Sequence, residues 1–252
     1  MGKGAISLSV GHVSTKNSSD FAPRSPVCFI STHLDDVVLS CSHFLAQHPG
    51  AVVATVCAGA PDGPAGLWDR LTTGHASARQ ALSQRRDEDA EALRRLGASP
   101  MWLELFDGQY QSSPLGPLDQ RDRGPIAAAV ADVLDRLVPA AVVAPVGLFH
   151  PDHIAVSDAC LLLARERPED YYLYVDMPYA RVLPLKLDER LRQLDVAVHE
   201  LAPFQPVDPA EKRRAVDAYT SQLRWVRGAA AGSFEPSMTD CERYWRVACP
   251  AS

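Results

Sequence analysis

The sequence predicts an α/β protein built on a mostly parallel sheet with helices on both faces. Three observations carry this. Short apolar runs rich in β-formers alternate with longer stretches of helical periodicity. The runs are apolar throughout, as in parallel strands covered on both sides. Turn formers close the helical stretches, Pro49-Gly50 after one and Gly97 after another.

Val27-Cys28-Phe29-Ile30 reads as the first strand, and Asp36 to His48 as a helix with an apolar stripe. Ala51 to Cys57 is a second strand. Pro61 to Gly74, rich in proline and glycine and carrying Trp68, reads as a loop long enough to shape a site. Ala76 to Leu96 is a charged, alanine-rich helix, and Met101 to Leu105 a strand. A second loop spans Asp107 to Arg123. Ile126 to Leu137 is helical, Ala141 to Val146 a strand, and Ile154 to Arg165 a helix. Beyond Tyr171 the pattern weakens, leaving a helix from Pro209 to about Arg227 and a late strand from Tyr244 to Ala248. Residues 1–24 are polar and read as a flexible N-terminal tail, and 25–252 as a single domain of Rossmann-like type.

With 252 residues, 46% hydrophobic and 22% charged, the chain has the balance of a globular protein with a sizeable core. A net charge of -6 speaks against a nucleic-acid partner. The six cysteines form no C-x-x-C pair and several sit in apolar stretches, which reads as reduced core thiols in a cytoplasmic protein. No apolar run approaches 18 residues and the first 24 lack an apolar leader core, so neither a membrane span nor a signal peptide is expected.

The chemistry concentrates at two strand ends. The first strand runs into Thr32-His33-Leu34-Asp35-Asp36, and the strand at 141–146 into Gly147-Leu148-Phe149-His150-Pro151-Asp152-His153. Parallel sheets open their ligand crevice at that edge. Imidazole and carboxylate are the usual non-thiol ligands of zinc, and a catalytic site needs three of them and an open position. A lone His-x-x-His often only caps a helix; the second cluster, of His33, Asp35 and Asp36 at an equivalent strand end, shifts the balance toward a metal and leaves both readings open.

Thr-His-Leu-Asp-Asp before one helix and His-Pro-Asp-His opening another resemble the PIG-L/LmbE family of zinc-dependent N-acetyl sugar deacetylases. Arg85-Arg86-Asp87-Glu88 with Leu96-Gly97, then Asp107-Gly108, and Lys212, Tyr219, Ser221 and Gln222 agree with it. The resemblance covers about residues 27 to 225. It implies one Zn2+ per chain on His33, Asp36 and His153, with another divalent metal such as Fe2+ able to stand in. It implies Asp35 as general base, His150 as oxyanion stabiliser and proton donor to the amine, and Asp152 as the carboxylate orienting His150. Arg85 and Asp107 match positions that approach substrate, although Asp107-Gly108 equally suits a turn. Trp68 suits either a sugar platform or a loop anchor. Leu34 stands where the family most often has proline. Leu148 stands where one branch has a tyrosine, leaving Tyr110 and Tyr179 as alternatives.

The implied function is hydrolysis of an N-acyl group, acetyl above all, from an amino sugar or glycoconjugate, as in antibiotic or other secondary-metabolite biosynthesis. The partner is thus an N-acylated small molecule. Amide cleavage in a thiol or glycoside conjugate is the second reading. A non-catalytic binding module is the third, and it lacks the G-x-G-x-x-G turn that would hold a dinucleotide.

Overall fold

In the computed structural model, which describes residues 23–111, 122–206, 208–229, 232 and 234–248, the first strand exits into the centre of one sheet. Its strands among the described residues are β1 (Val27–Ser31), β2 (Val52–Thr55), β3 (Ser99–Trp102), β4 (Ala141–Pro145), β5 (Asp170–Tyr174), β6 (Val198–Glu200) and β7 (Tyr244–Val247). They lie in the order β3-β2-β1-β4-β5-β7-β6. The pairs from β3 to β5 are parallel, and β7 joins β5 and β6 antiparallel. In β1, Phe29 stands between Val53 of β2 and Val143 of β4. The chain leaves β1 toward β2 on one side and returns to β4 on the other, so the topological switch point falls between β1 and β4. Open α/β sheets bind ligands there, beyond the carboxyl ends of the strands.

The helices are α1 (Asp36–Leu45), α2 (Leu67–Thr73), α3 (Ala78–Arg95), α4 (Arg123–Leu137), α5 (Pro151–Ala164), α6 (Tyr179–Val182), α7 (Pro184–Gln193), α8 (Pro209–Val216), α9 (Thr220–Ala229) and α10 (Phe234–Ser237). Alternate residues of β1 face opposite sides. Val27 and Phe29 pack with α1, α3 and α8 through Val37, Phe44, Leu93 and Val216. Cys28 and Ile30 pack with α4 and α5 through Val130, Leu134, Val156 and Cys160. Phe29 and Ile30 are wholly buried. Each contributes on the order of 2–3 kcal/mol of apolar burial, so neither face can be spared.

Several expectations are corrected. Pro61 to Gly74 is not loop throughout: Leu67–Thr73 is helical, stopped by Gly74 at φ 76. That left-handed turn suits glycine. The expected helix over 209–227 is two, α8 and α9, because Tyr219 turns inward and donates from its hydroxyl to Asp89 Oδ1 at 2.8 Å. The weak region beyond 171 contains β5, α6, α7 and β6, and β3 begins at Ser99. Cys28, Cys41, Cys57 and Cys160 are buried free thiols, but Cys241 is exposed. The tail through residue 22, Cys249 and residues 112–121 of the second loop lie outside the described residues.

Candidate active site

The two motif strands are neighbours, so their exits converge. After β1 a tight turn closes with the Asp35 N–H on the His33 carbonyl at 3.0 Å, and α1 begins at Asp36. The His33 backbone N–H donates to Asp36 Oδ2 at 2.7 Å. After β4 the chain turns at Gly147, and His150 caps α5, whose first residue is Pro151. A side chain at 147 would come within 2.7 Å of Ser157 Cβ, and φ there is 87, so glycine is required.

His33, Asp36 and His153 are all buried and offer one ligand atom each within 4.8 Å of one another. His33 Nδ1 lies 3.5 Å and His153 Nε2 3.2 Å from Asp36 Oδ2. His153 Nε2 is buried yet has no hydrogen-bond partner among the described residues. Buried polar atoms are seldom left so. An orphaned imidazole nitrogen aimed at a carboxylate, with a second imidazole alongside, fits a divalent-metal site. Burial opposes charge at His153, but the Asp36 carboxylate raises it to about 9. Burial likewise opposes ionisation of Asp36, yet the charge of His153, then that of His33, holds it well below the carboxylate range.

Asp35 is half-buried at the same exit, and its carboxylate takes no hydrogen bond from a described residue. Burial, then the charge on Asp36, pushes it up to about 7. Such a carboxyl is poised to exchange a proton near neutral pH.

The three histidine rings cluster, with centroids 5.2 Å apart for His33 and His150, 5.2 Å for His33 and His153, and 5.8 Å for His150 and His153. His150 Nδ1 accepts from the Asp152 backbone N–H at 3.2 Å, which leaves its proton on Nε2. Burial, then the charge on His33, lowers it to about 4. The Asp152 carboxylate sits 4.0 Å from His150 Nδ1 but 3.1 Å from His33 Nε2, and accepts from the Gly108 N–H at 2.8 Å. The sequence expectation gave that carboxylate to His150; here its nearer imidazole is His33.

Arg85 is buried, not a surface charge. Its Nη1 lies 2.8 Å from Asp69 Oδ1 and 3.9 Å from Asp107 Oδ2. Asp107 Oδ2 is also 3.9 Å from His33 Nε2, and its side chain caps the turn at Gly108 by accepting from the Gln109 N–H at 3.0 Å. The Asp107 carboxylate thus closes the Gly108 turn and also borders His33. Trp68 is different: its indole N–H donates to Gln222 Oε1 at 2.7 Å and its ring meets Trp225 at 6.4 Å, so both contacts go to α9.

Two residues escaped sequence reasoning, Asp176 and Asp69. Asp176, just past β5, places Oδ1 2.6 Å from His153 Nδ1 and accepts from the Gly147 and Leu148 N–H groups at 2.9 and 3.2 Å. Asp69, fully buried on α2, holds Arg85 and also accepts from the Tyr110 hydroxyl. Tyr179 stands edge-on to His153, ring centroids 5.3 Å apart. Of the two candidate tyrosines, Tyr110 is thus committed to Asp69 while Tyr179 borders the histidines. A carboxylate just past a strand end is the signal that could have found Asp176.

A parallel α/β sheet carrying two imidazoles and a carboxylate at its switch point, with a further free carboxylate beside them, defines a metal-dependent hydrolase. The family model for GlcNAc-PI de-N-acetylase, PIG-L, matches residues 28–164, and the chain belongs to that family. It is a hydrolytic N-deacetylase that acts on a C–N bond. The zinc-inhibited form of teicoplanin deacetylase Orf2 is similar at 27% identity over 90% of this chain and 99% of that one, with a TM-score of 0.72. The A40926 pseudoaglycone deacetylase is similar at 28% identity over 90% and 98%, with a TM-score of 0.66. The N,N'-diacetylchitobiose deacetylase of Pyrococcus horikoshii shares the fold at 17% identity over 90% and 87%, with a TM-score of 0.52. No curated protein sequence matches the chain. No helix among the described residues is long and apolar enough to cross a membrane.

Proposed function

We propose that this enzyme removes the acetyl group from an amino sugar carried on a larger conjugate, with zinc as its metal. The observation that carries it is the free, half-buried carboxylate of Asp35 beside the donor set of His33, Asp36 and His153. When bound, the ion supplies Lewis acidity, acidifying water and polarising an acyl carbonyl. Asp35 takes one proton from water as its oxygen adds to the acyl carbon. His150 directs its Nε2–H at the carbonyl oxygen, where charge develops. Asp35 then returns that proton to the departing amine, while His150, which burial disfavours in its charged form, stays the donor at the oxyanion. The C–N bond breaks, acetic acid and the free amine leave, and Asp35 is again a carboxylate. Arg85 and Asp107 form a polar wall beside His33. Trp68 serves to anchor α2 on α9.

The similar structures carry the names of teicoplanin and A40926 pseudoaglycone deacetylases, which supports a glycosylated antibiotic or its precursor as the acceptor. Buried free thiols favour the cytoplasm, with residues 25–252 acting as one catalytic unit. The test compares kcat/KM for a panel of N-acetylated amino-sugar conjugates with that for free N-acetylglucosamine. At least one conjugate should exceed the free sugar by about tenfold or more, since remote contacts can be spent at the reacting centre. Free sugar matching every conjugate would reject the conjugate assignment.

A further inference from the structure

Phe149 is out of place by two independent measures. It is a non-glycine residue at φ 63, in a three-residue turn closed by the His150 N–H on the Leu148 carbonyl at 2.7 Å. A γ-turn of this hand is the rarer, strained one, and a bulky residue there is an outlier. The chain places glycine two residues earlier, at Gly147, where φ is also positive, yet a phenylalanine at this second position. The ring is also 61% exposed, whereas Leu148 beside it is 1% exposed. Among the described residues the other non-glycine residue with positive φ, Val138, is accounted for by ending α4, its N–H bonded to the Leu134 carbonyl. Phe149 ends no helix. Strain that neither packing nor element termination explains belongs to functional positions.

The ring's surroundings say which function. Phe149 precedes His150 and lies 5.7 Å from the Tyr179 ring, tilted by 37°. Tyr179 in turn stands 5.3 Å from His153. The aromatic surface therefore starts at the donor set and steps outward through Tyr179 to Phe149. An N-acetyl group held at the donor set would bring its sugar ring over Tyr179, and the group attached to that sugar against Phe149. Phenylalanine has no polar atom, so it selects for an apolar, planar attachment. We infer that Phe149 is a specificity-determining residue that stacks on an aryl or similarly flat apolar aglycone of the amino sugar. This rests on the deacetylase reading above and names the chemistry of its acceptor.

The experiment uses two substrates, the 4-methylphenyl and the methyl glycosides of N-acetylglucosamine, and three variants, Phe149→Gly, Phe149→Leu and Phe149→Tyr. Wild type should favour the aryl glycoside in kcat/KM by about tenfold or more. Phe149→Tyr should keep that ratio, Phe149→Leu lower it, and Phe149→Gly bring it to within about twofold of unity. Phe149→Gly should also melt higher than wild type by about 2 °C, because glycine relieves the strained turn. A ratio that does not move in Phe149→Gly overturns the inference. So does a variant that melts several degrees lower, which would make the ring a structural support. Affinities of the same two glycosides for Asp35→Asn, measured by calorimetry, give the ratio without turnover. If wild type hydrolyses neither glycoside yet the calorimetric ratio falls with Phe149→Gly, the stacking role stands and the substrate assignment fails. Hydrolysis of both with an unmoved ratio fails only the stacking role, and absence of binding by both fails the two together.

Discussion

Asp176 holds His153 in place: its Oδ1 lies 2.6 Å from His153 Nδ1 while its Oδ2 accepts from two backbone N–H groups of the β4 exit. One carboxylate thus ties the turn of one motif to the imidazole that follows it. It also keeps a proton on Nδ1, which leaves Nε2 as the nitrogen that faces Asp36.

The first prediction follows from that pair. Asp176→Asn should weaken metal affinity about 10- to 100-fold, because an amide can neither hold the tautomer as firmly nor raise the ring's basicity. Competition against a chelator of known affinity measures it. Unchanged affinity would mean that the buried pair only packs.

Asp35 bears on turnover rather than on metal retention. Asp35→Asn should retain one metal per chain and lose hydrolysis by about 10²- to 10⁴-fold. Metal content and acetate release are measured on the same preparation. Near-normal turnover would remove Asp35 from the role of base.

Asp69 bears on stability. It is fully buried and holds the buried Arg85 at 2.8 Å. Asp69→Ala strands that cation and should cost about 3–5 kcal/mol, or a fall in Tm of roughly 10 °C for a chain of this size. Paired removal in Asp69→Ala with Arg85→Met should recover much of the loss. A single variant that melts with wild type would show that Arg85 finds other partners.

The site was legible where the chemistry was dense. His33, Asp35 and Asp36 end one continuous apolar run and His150, Asp152 and His153 follow another, and parallel sheets bring such ends together. Asp176 stands alone after a tyrosine-rich strand, and nothing local links it to His153, 23 residues before it. Asp69 lay within a proline- and glycine-rich stretch whose helix is only seven residues long. The direction of the Asp152 carboxylate depends on Gly108, a turn 44 residues away. The strained turn at Phe149 was invisible because the usual sign of positive φ is a glycine, and none stands there.

A pH dependence should arise away from the histidines. Asp89 is buried with Trp102 and Tyr219, which donate to it at 2.8 Å each. Burial nevertheless pushes its carboxyl from 3.8 up to about 6. The folded chain therefore binds this proton more tightly than the unfolded one. The resulting stability is full at low pH and is lost as pH rises from about 4 through about 6, a change of roughly 3 kcal/mol. Asp89→Asn has no such titration. Its Tm relative to wild type should climb by about 4 °C between pH 5 and 7.5, as thermal melts at matched pH would record. A difference that stays flat contradicts it.

Acetate release from an N-acetylated amino-sugar glycoside, followed with metal content through chelation and reloading with zinc, tests the central claim most directly. Wild type should hold one divalent ion per chain, lose acetate release when the ion is stripped, and recover it on reloading, whereas His153→Ala should neither retain the ion nor recover. Undiminished acetate release from metal-free wild type would contradict the account.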